Sequence, residues 1–226
     1  MFIVLCVLNV IMAPFLAVPT HTAAKFDVAK ETRTADESIA EPIRKELEET
    51  ALVISEGGTE RLVFWFRKAI PSRATAEQIK NGLTYRELPE TGIVGVVRLS
   101  KPFVDYRKQE IPEGLYTLRL GFQPENGDHM GTAPYTEFLL LSPVKEDRTL
   151  DETDLKTVVA MSKKATGGDH PSVMLLFPNR DWKEVPSIEE KECGVSLLQL
   201  KRPLTINGKE AAIGMGIVIA GFSKTR

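Results

Sequence analysis

Cysteine, histidine and tryptophan are scarce in this chain of 226 residues, which contains 2 Cys, 3 His and 2 Trp. Cys6 lies in an apolar N-terminal stretch, and Cys193 is the only cysteine after it. A single thiol cannot close a disulfide within the chain, which excludes a disulfide-stapled fold. We interpret Cys193 as a small buried hydrophobe, with an intermolecular bridge as the alternative.

The common catalytic motifs are also missing. The chain has no G-x-S-x-G nucleophile elbow, no H-E-x-x-H zinc motif, no C-x-x-C pair and no P-loop. The glycines at 214, 216 and 221 have the wrong spacing for a dinucleotide-binding fingerprint. The sequence leaves open whether the protein is an enzyme, and it favours a non-catalytic protein. A hydrolase that uses two carboxylates would show no recognisable spacing.

An excess of charge of either sign is absent. The 29 basic and 31 acidic residues nearly balance, and the isoelectric point is about 6.0. Basic residues do not gather into long clusters. A nucleic acid or an anionic lipid surface is therefore not an expected partner.

Residues 1–24 contain no Lys, Arg, Asp or Glu and are largely apolar. This pattern predicts a secretory signal peptide that is cleaved after Ala24, and hence a secreted or periplasmic protein. The alternative is an uncleaved membrane anchor, because the apolar run approaches the length that spans a bilayer. Pro14 and Pro19 favour cleavage, so we expect no stable membrane insertion of the mature chain.

The remainder of the chain is long enough for one domain with its own core. Residues 25–38 are charged and poor in large apolar side chains, which indicates a flexible lead-in. A short helix is predicted from Pro42 to Glu48, with the proline in the first turn. The predicted organisation is a signal peptide (1–24), a lead-in with a short helix (25–50) and a β-sandwich domain (51–226).

Residues 111–141 carry the clearest fold signal. A strand is predicted to begin near Leu115, with alternating apolar and polar residues that place Leu118 on a core face and Arg119 on a solvent face. A second strand, more uniformly apolar than the first, runs over residues 137–141. Between the two strands lies a loop of about ten residues, longer than a minimal hairpin turn, and such loops often carry function.

Further apolar runs recur along the chain with turn residues between them. Gly57-Gly58 and Asn207-Gly208 each predict a hairpin, and residues 93–99 and 172–177 predict single strands. One amphipathic helix is predicted over residues 147–164, capped by Asp151 or Thr153. This pattern favours a mainly β fold, an antiparallel β-sandwich or jelly roll with one amphipathic helix.

The segment at residues 111–118, IPEGLYTL, together with the strand, loop and strand that follow, resembles a group of secreted bacterial β-sandwich domains of unknown function. These domains carry an IPxGxYxL-type turn and strand. The resemblance covers about thirty residues, and a Pro-x-Gly turn that leads into an alternating strand occurs in many β-sandwiches. It implies an extracytoplasmic sandwich and no catalytic residues.

Two loops contain the same tripeptide, Gly-Asp-His. One includes Asp128 and His129 and is followed by Met130, and the other includes Asp169 and His170. Histidine is the commonest metal ligand in proteins, and carboxylate or thioether partners suit zinc or copper. If both loops meet at one end of the sandwich, these residues could share a metal ion.

Aspartate after glycine is also ordinary turn chemistry, so the two loops could be unrelated turns. We therefore hold two functional hypotheses. The first is a non-catalytic protein that binds a protein or a cell-envelope component. The second is a copper- or zinc-binding protein, or a metal-dependent enzyme, that uses the Gly-Asp-His loops. Carbohydrate binding ranks below both. A carbohydrate site needs exposed, coplanar aromatic side chains, and the chain has only 2 Trp and 4 Tyr.

Overall fold

The computed structural model describes residues 26–124, 133–180, 184–191, 194–207 and 209–222. The predicted signal peptide lies outside these ranges. Cys193 and the first Gly-Asp-His loop, with Asp128, His129 and Met130, also lie outside them.

The strands of the described chain form a long, curled, mainly antiparallel sheet. They are β1 (Phe26–Thr32), β2 (Thr50–Glu56), β3 (Thr59–Phe66), β4 (Ile70–Pro71), β5 (Ile93–Leu99), β6 (Phe103–Val104), β7 (Glu110–Ile111), β8 (Gly114–Phe122), β9 (Glu137–Pro143), β10 (Val173–Pro178), β11 (Ser187–Lys191), β12 (Val195–Ile206) and β13 (Lys209–Ala220). The order along the sheet is β1-β2-β3-β5-β8-β9-β10-β13-β12-β11, with β4 added in parallel to β12. β6 and β7 form a separate small ribbon.

The sheet curls until its two edges approach each other, and Cα atoms of β1 and β11 come within 8 Å. The curl encloses the main core, to which both halves of the sheet contribute. Leu118 on β8 and Leu139 on β9 share this core with Leu198 on β12 and Ile217 on β13. All four side chains are fully buried.

In the described ranges, three short α-helices lie outside the sheet: α1 (Glu41–Lys45), α2 (Ala76–Asn81) and α3 (Leu155–Lys163). Ile43 of α1 packs with Trp65 on the outer face of β3. Val158 of α3 packs with Leu140 on the outer face of β9. No helix in the described ranges is long and apolar enough to cross a membrane.

The prediction of a mainly β fold with an amphipathic helix is confirmed. The central hairpin of β8 and β9 forms as predicted, and β5 has the predicted bounds. The described ladder is one continuous curled path, so a sandwich of two sheets or a jelly roll stays a prediction. The amphipathic helix begins later than predicted, because the side chain of Asp154 caps it by accepting a hydrogen bond from Thr157 N at 3.0 Å.

The interpretation of residues 25–38 as a flexible lead-in is wrong for Phe26–Thr32, which forms β1. This strand pairs with β2 along its whole length. Phe26 and Val28 pack against the main core, while most of the other side chains are exposed. An edge strand with one solvated face carries many charges, and that composition resembles a disordered segment.

The prediction that the side chain of Arg119 faces solvent is also wrong, because this side chain is fully buried. Its Nε and Nη2 atoms donate to the two carboxylate oxygens of Asp147 at 2.8 and 2.9 Å. The guanidinium also donates to the backbone carbonyls of Thr91, Thr149 and Asp151 at 2.6, 2.6 and 3.1 Å. A buried charge is tolerated here because it is paired and hydrogen-bonded on every side.

We predict that Arg119→Met lowers the free energy of unfolding by about 3–5 kcal/mol, because it leaves the Asp147 carboxylate buried without a counter-charge. The measurement is urea denaturation. Arg73→Met is the matched control, since Arg73 forms an exposed pair with Glu152 at 2.8 Å and should change stability by at most about 1 kcal/mol. Equal effects of the two substitutions would contradict the structural role of the buried pair.

Candidate functional site

A cavity of about 240 Å³ lies between α3 and the outer face of β10. Leu155 and Val159 of α3 form one wall, and Val173 and Leu175 of β10 form the floor. The remaining walls are mostly aromatic or apolar and come from Tyr106, Phe122, Ala133, Tyr135, Phe138 and Pro171. Most of these side chains are half-buried, so the cavity opens to solvent.

The helical and strand repeats explain how the sequence builds this cavity. Leu155 and Val159 are four residues apart and therefore lie above one another on α3. Val173 and Leu175 are two residues apart and point to the same face of β10. Val158 docks α3 on the sheet and is fully buried. Its neighbours Leu155 and Val159 are left at the open side of the helix.

The polar lining of the cavity includes Arg107, Gln123 and His170, and the side chains of Arg107 and His170 at its rim are exposed. The Nη2 atom of Arg107 lies 3.3 Å from Nδ1 of His170. A guanidinium has no lone pair to accept a hydrogen bond, so Nδ1 must be the acceptor.

The buried carboxylate of Asp105 holds the turn that presents Arg107. Its Oδ1 accepts hydrogen bonds from the backbone N–H groups of Arg107 and Gln109, each at 2.9 Å. The Gln109 side chain donates to Oδ2 at 3.0 Å and also to the carbonyl of Pro171 at 2.9 Å. Two loops that are distant in sequence are thereby fixed side by side at the rim. Burial raises the pKa of Asp105, and the hydrogen bonds from Gln109 partly oppose that rise.

The second Gly-Asp-His loop lies at this cavity, because His170 is part of its rim. Asp169 is exposed beside it. Asp128, His129 and Met130 lie outside the described residues. The two flanks of their loop, Pro124 and Ala133, both line the cavity.

The hypothesis that the two Gly-Asp-His loops share a metal ion stays a prediction. Within the described ranges, no group of three or more His, Cys, Asp or Glu side chains is placed to hold a metal ion.

A second, larger depression follows on the same outer face of the sheet. This polar cleft has a volume of about 930 Å³ and shares Tyr135 with the apolar cavity. The ring of Tyr135 contacts that of Phe177 edge-on at 4.6 Å between centroids. Charges of both signs line the polar cleft, namely Arg180, Lys191, Glu184 and Glu189. This lining does not select a ligand of one charge.

Sequence reasoning singled out His170 but not the cavity beside it. The walls of the cavity come from several segments that are distant in sequence, and no local pattern brings them together. A partial signal exists in α3, because Leu155 and Val159 are apolar residues four positions apart within the predicted amphipathic helix. Arg107 is visible in the sequence only as half of a charged pair with Lys108.

Comparison with known proteins gives no relative: no family of proteins, no curated protein and no solved structure matches this chain.

The raised pKa of Asp105 predicts a pH dependence of stability. The ordinary pKa of this carboxyl is 3.8. Because the folded-state pKa is higher, the group contributes its full stability below pH 3.8 and loses it as the pH rises through the folded-state value. The difference in unfolding free energy between the natural protein and Asp105→Asn should therefore fall from acid to neutral pH. Urea denaturation across that range measures it, and a difference that rises with pH would contradict burial as the dominant effect.

The metal-site hypothesis predicts that zinc or copper binds the protein stoichiometrically and that His129→Ala/His170→Ala abolishes binding. Calorimetric titration of both proteins tests it. Cys193→Ala is the control, because it removes another metal-ligand side chain outside the two loops. Binding that survives the double histidine substitution, or no binding at all, would end the hypothesis.

Proposed function

We propose that the chain is a secreted or periplasmic non-catalytic binding protein. Its site is the apolar cavity beside α3, which holds the apolar part of a small amphiphilic molecule of the cell envelope. The observation that carries this proposal is the concave, mainly apolar lining of the cavity beside α3. Binding sites for small molecules are typically concave, largely apolar and equipped with a few polar groups.

The size of the cavity suits a small apolar group. An engineered apolar cavity of about 150 Å³ holds a benzene ring, whereas the cavity here is about 240 Å³. Because the lining is mainly aliphatic and aromatic, water inside it would find few hydrogen-bond partners. Displacement of that water by an apolar group is therefore favourable.

A small molecule fits the site better than a folded protein partner. Interfaces between folded proteins bury roughly 800 Å² on each side over broad surfaces. This site is instead a narrow depression between a helix and a turn. A protein partner could reach it only through one protruding side chain.

The chemistry of the lining supports a binding role over catalysis. The described lining places His170 next to the cationic group of Arg107 and contributes no carboxylate or thiol that could orient or activate it. General acid–base and nucleophilic mechanisms usually pair a histidine with such a group.

The location and the finer fold class belong to the same proposal. The apolar N-terminal stretch supports export, and the main core, which lies between β8-β9 and β12-β13, supports a sandwich-like description of the curled sheet. The resemblance to secreted β-sandwich domains agrees with both.

We predict that Val159→Trp abolishes binding of a neutral apolar probe, because the indole occupies the cavity. Isothermal titration calorimetry with 1-octanol measures the loss, which should exceed tenfold in affinity. Ala160→Trp is the matched control, since Ala160 is exposed on the same helix and does not line the cavity. Equal binding by both variants, or no binding by the natural protein, would contradict the proposed site.

A further inference from the structure

We propose that the polar end of the ligand is a carboxylate bound by Arg107, so that the protein takes a small hydrophobic carboxylate such as a medium-chain fatty acid. This inference rests on the proposed function of the apolar cavity. It adds the charge, the size and the orientation of the ligand.

Charge complementarity selects an anion. Arg107 is the only residue with a permanent charge in the described lining, and that lining contains no acidic residue. A cationic ligand would meet the guanidinium without a compensating carboxylate in the described lining. A neutral ligand would fill the cavity and leave the charged rim unused. An anion at the rim pairs with Arg107 while its apolar body is removed from water.

The donors at the rim match a carboxylate in number and kind. Arg107 presents a planar guanidinium with five N–H donors, of which the contact with Nδ1 of His170 uses one. Arginine binds carboxylates through two parallel hydrogen bonds, and charge-assisted bonds of this kind are about twice as strong as neutral ones.

The rim is also held in position before any ligand arrives. The carboxylate of Asp105 fixes the backbone N–H of Arg107, and Gln109 ties the same turn to the carbonyl of Pro171. His170 is adjacent to Pro171 in sequence. The hydrogen bonds of Asp105 and Gln109 therefore position the backbone that carries both rim residues, and less backbone freedom is lost when a ligand binds.

The volume limits the length of the apolar body. Scaled from a cavity of about 150 Å³ for the six carbons of benzene, the space accommodates roughly ten non-hydrogen atoms. Octanoate has this size. Longer fatty acids would extend out of the cavity over the outer face of the sheet.

The test compares three ligands with the same eight-carbon chain and different head groups: octanoate, 1-octanol and octyltrimethylammonium. Isothermal titration calorimetry at one salt concentration measures each against the natural protein, Arg107→Gln and Lys108→Gln. Lys108 is the matched control, because it is an exposed cation next to Arg107 that does not line the cavity.

We expect octanoate to bind the natural protein about tenfold or more tightly than 1-octanol, and octyltrimethylammonium to bind most weakly. Arg107→Gln should reduce the affinity for octanoate to about that for 1-octanol, and it should change the affinity for 1-octanol much less, because the hydroxyl carries no charge to pair with Arg107. Lys108→Gln should keep the affinities for octanoate and 1-octanol within about twofold of those of the natural protein, because an exposed charge outside the site is screened.

The outcomes separate the two proposals. Equal binding of octanoate and 1-octanol, both lost in Val159→Trp, would overturn the carboxylate inference and retain the apolar site. Equal losses in Arg107→Gln and Lys108→Gln would also overturn it, because the effect would then be one of net charge. If none of the three ligands binds the natural protein, the proposed function itself fails.

Discussion

The ion pair between Arg119 and Asp147 determines how the outer face of the sheet is covered. It binds the start of the 147–153 segment to β8, and Thr91 holds the end of that segment through a hydrogen bond to the carbonyl of Thr153 at 2.7 Å. Asp154 then caps α3. The position of α3 on β9 and β10 therefore depends on a buried charge pair as well as on the apolar contacts of Val158.

The apolar cavity is a consequence of that position. α3 has only 9 residues and packs with Leu140 and Val173, but Leu175, two positions further along β10, belongs to a neighbouring apolar cluster. The turn held by Asp105 covers the other side. A gap remains between the helix and the turn, and its floor is apolar because β10 is apolar on both faces.

Local signals in the sequence were sufficient to predict many strands of the sheet. They were insufficient to predict the apolar cavity and its rim. The Pro-Gly turn and the alternating run before Phe122 predicted the hairpin correctly, because turn chemistry and strand periodicity act over a few residues. The burial of Arg119 depends on Asp147, 28 residues away, so its polarity alone indicated solvent. The strand Phe26–Thr32 likewise depends on pairing with β2. Arg107 and His170 meet only through the fold, and no spacing rule joins them.

The most direct test of the cavity as a ligand site is isotope-filtered nuclear Overhauser spectroscopy with methyl-labelled protein and unlabelled octanoate. Contacts from the ligand chain to the methyl groups of Leu155, Val159 and Leu175 would place it between α3 and β10, as the account predicts. Contacts confined to Ile188 and Leu197, which line the polar cleft, would contradict the assignment of the apolar cavity as the site.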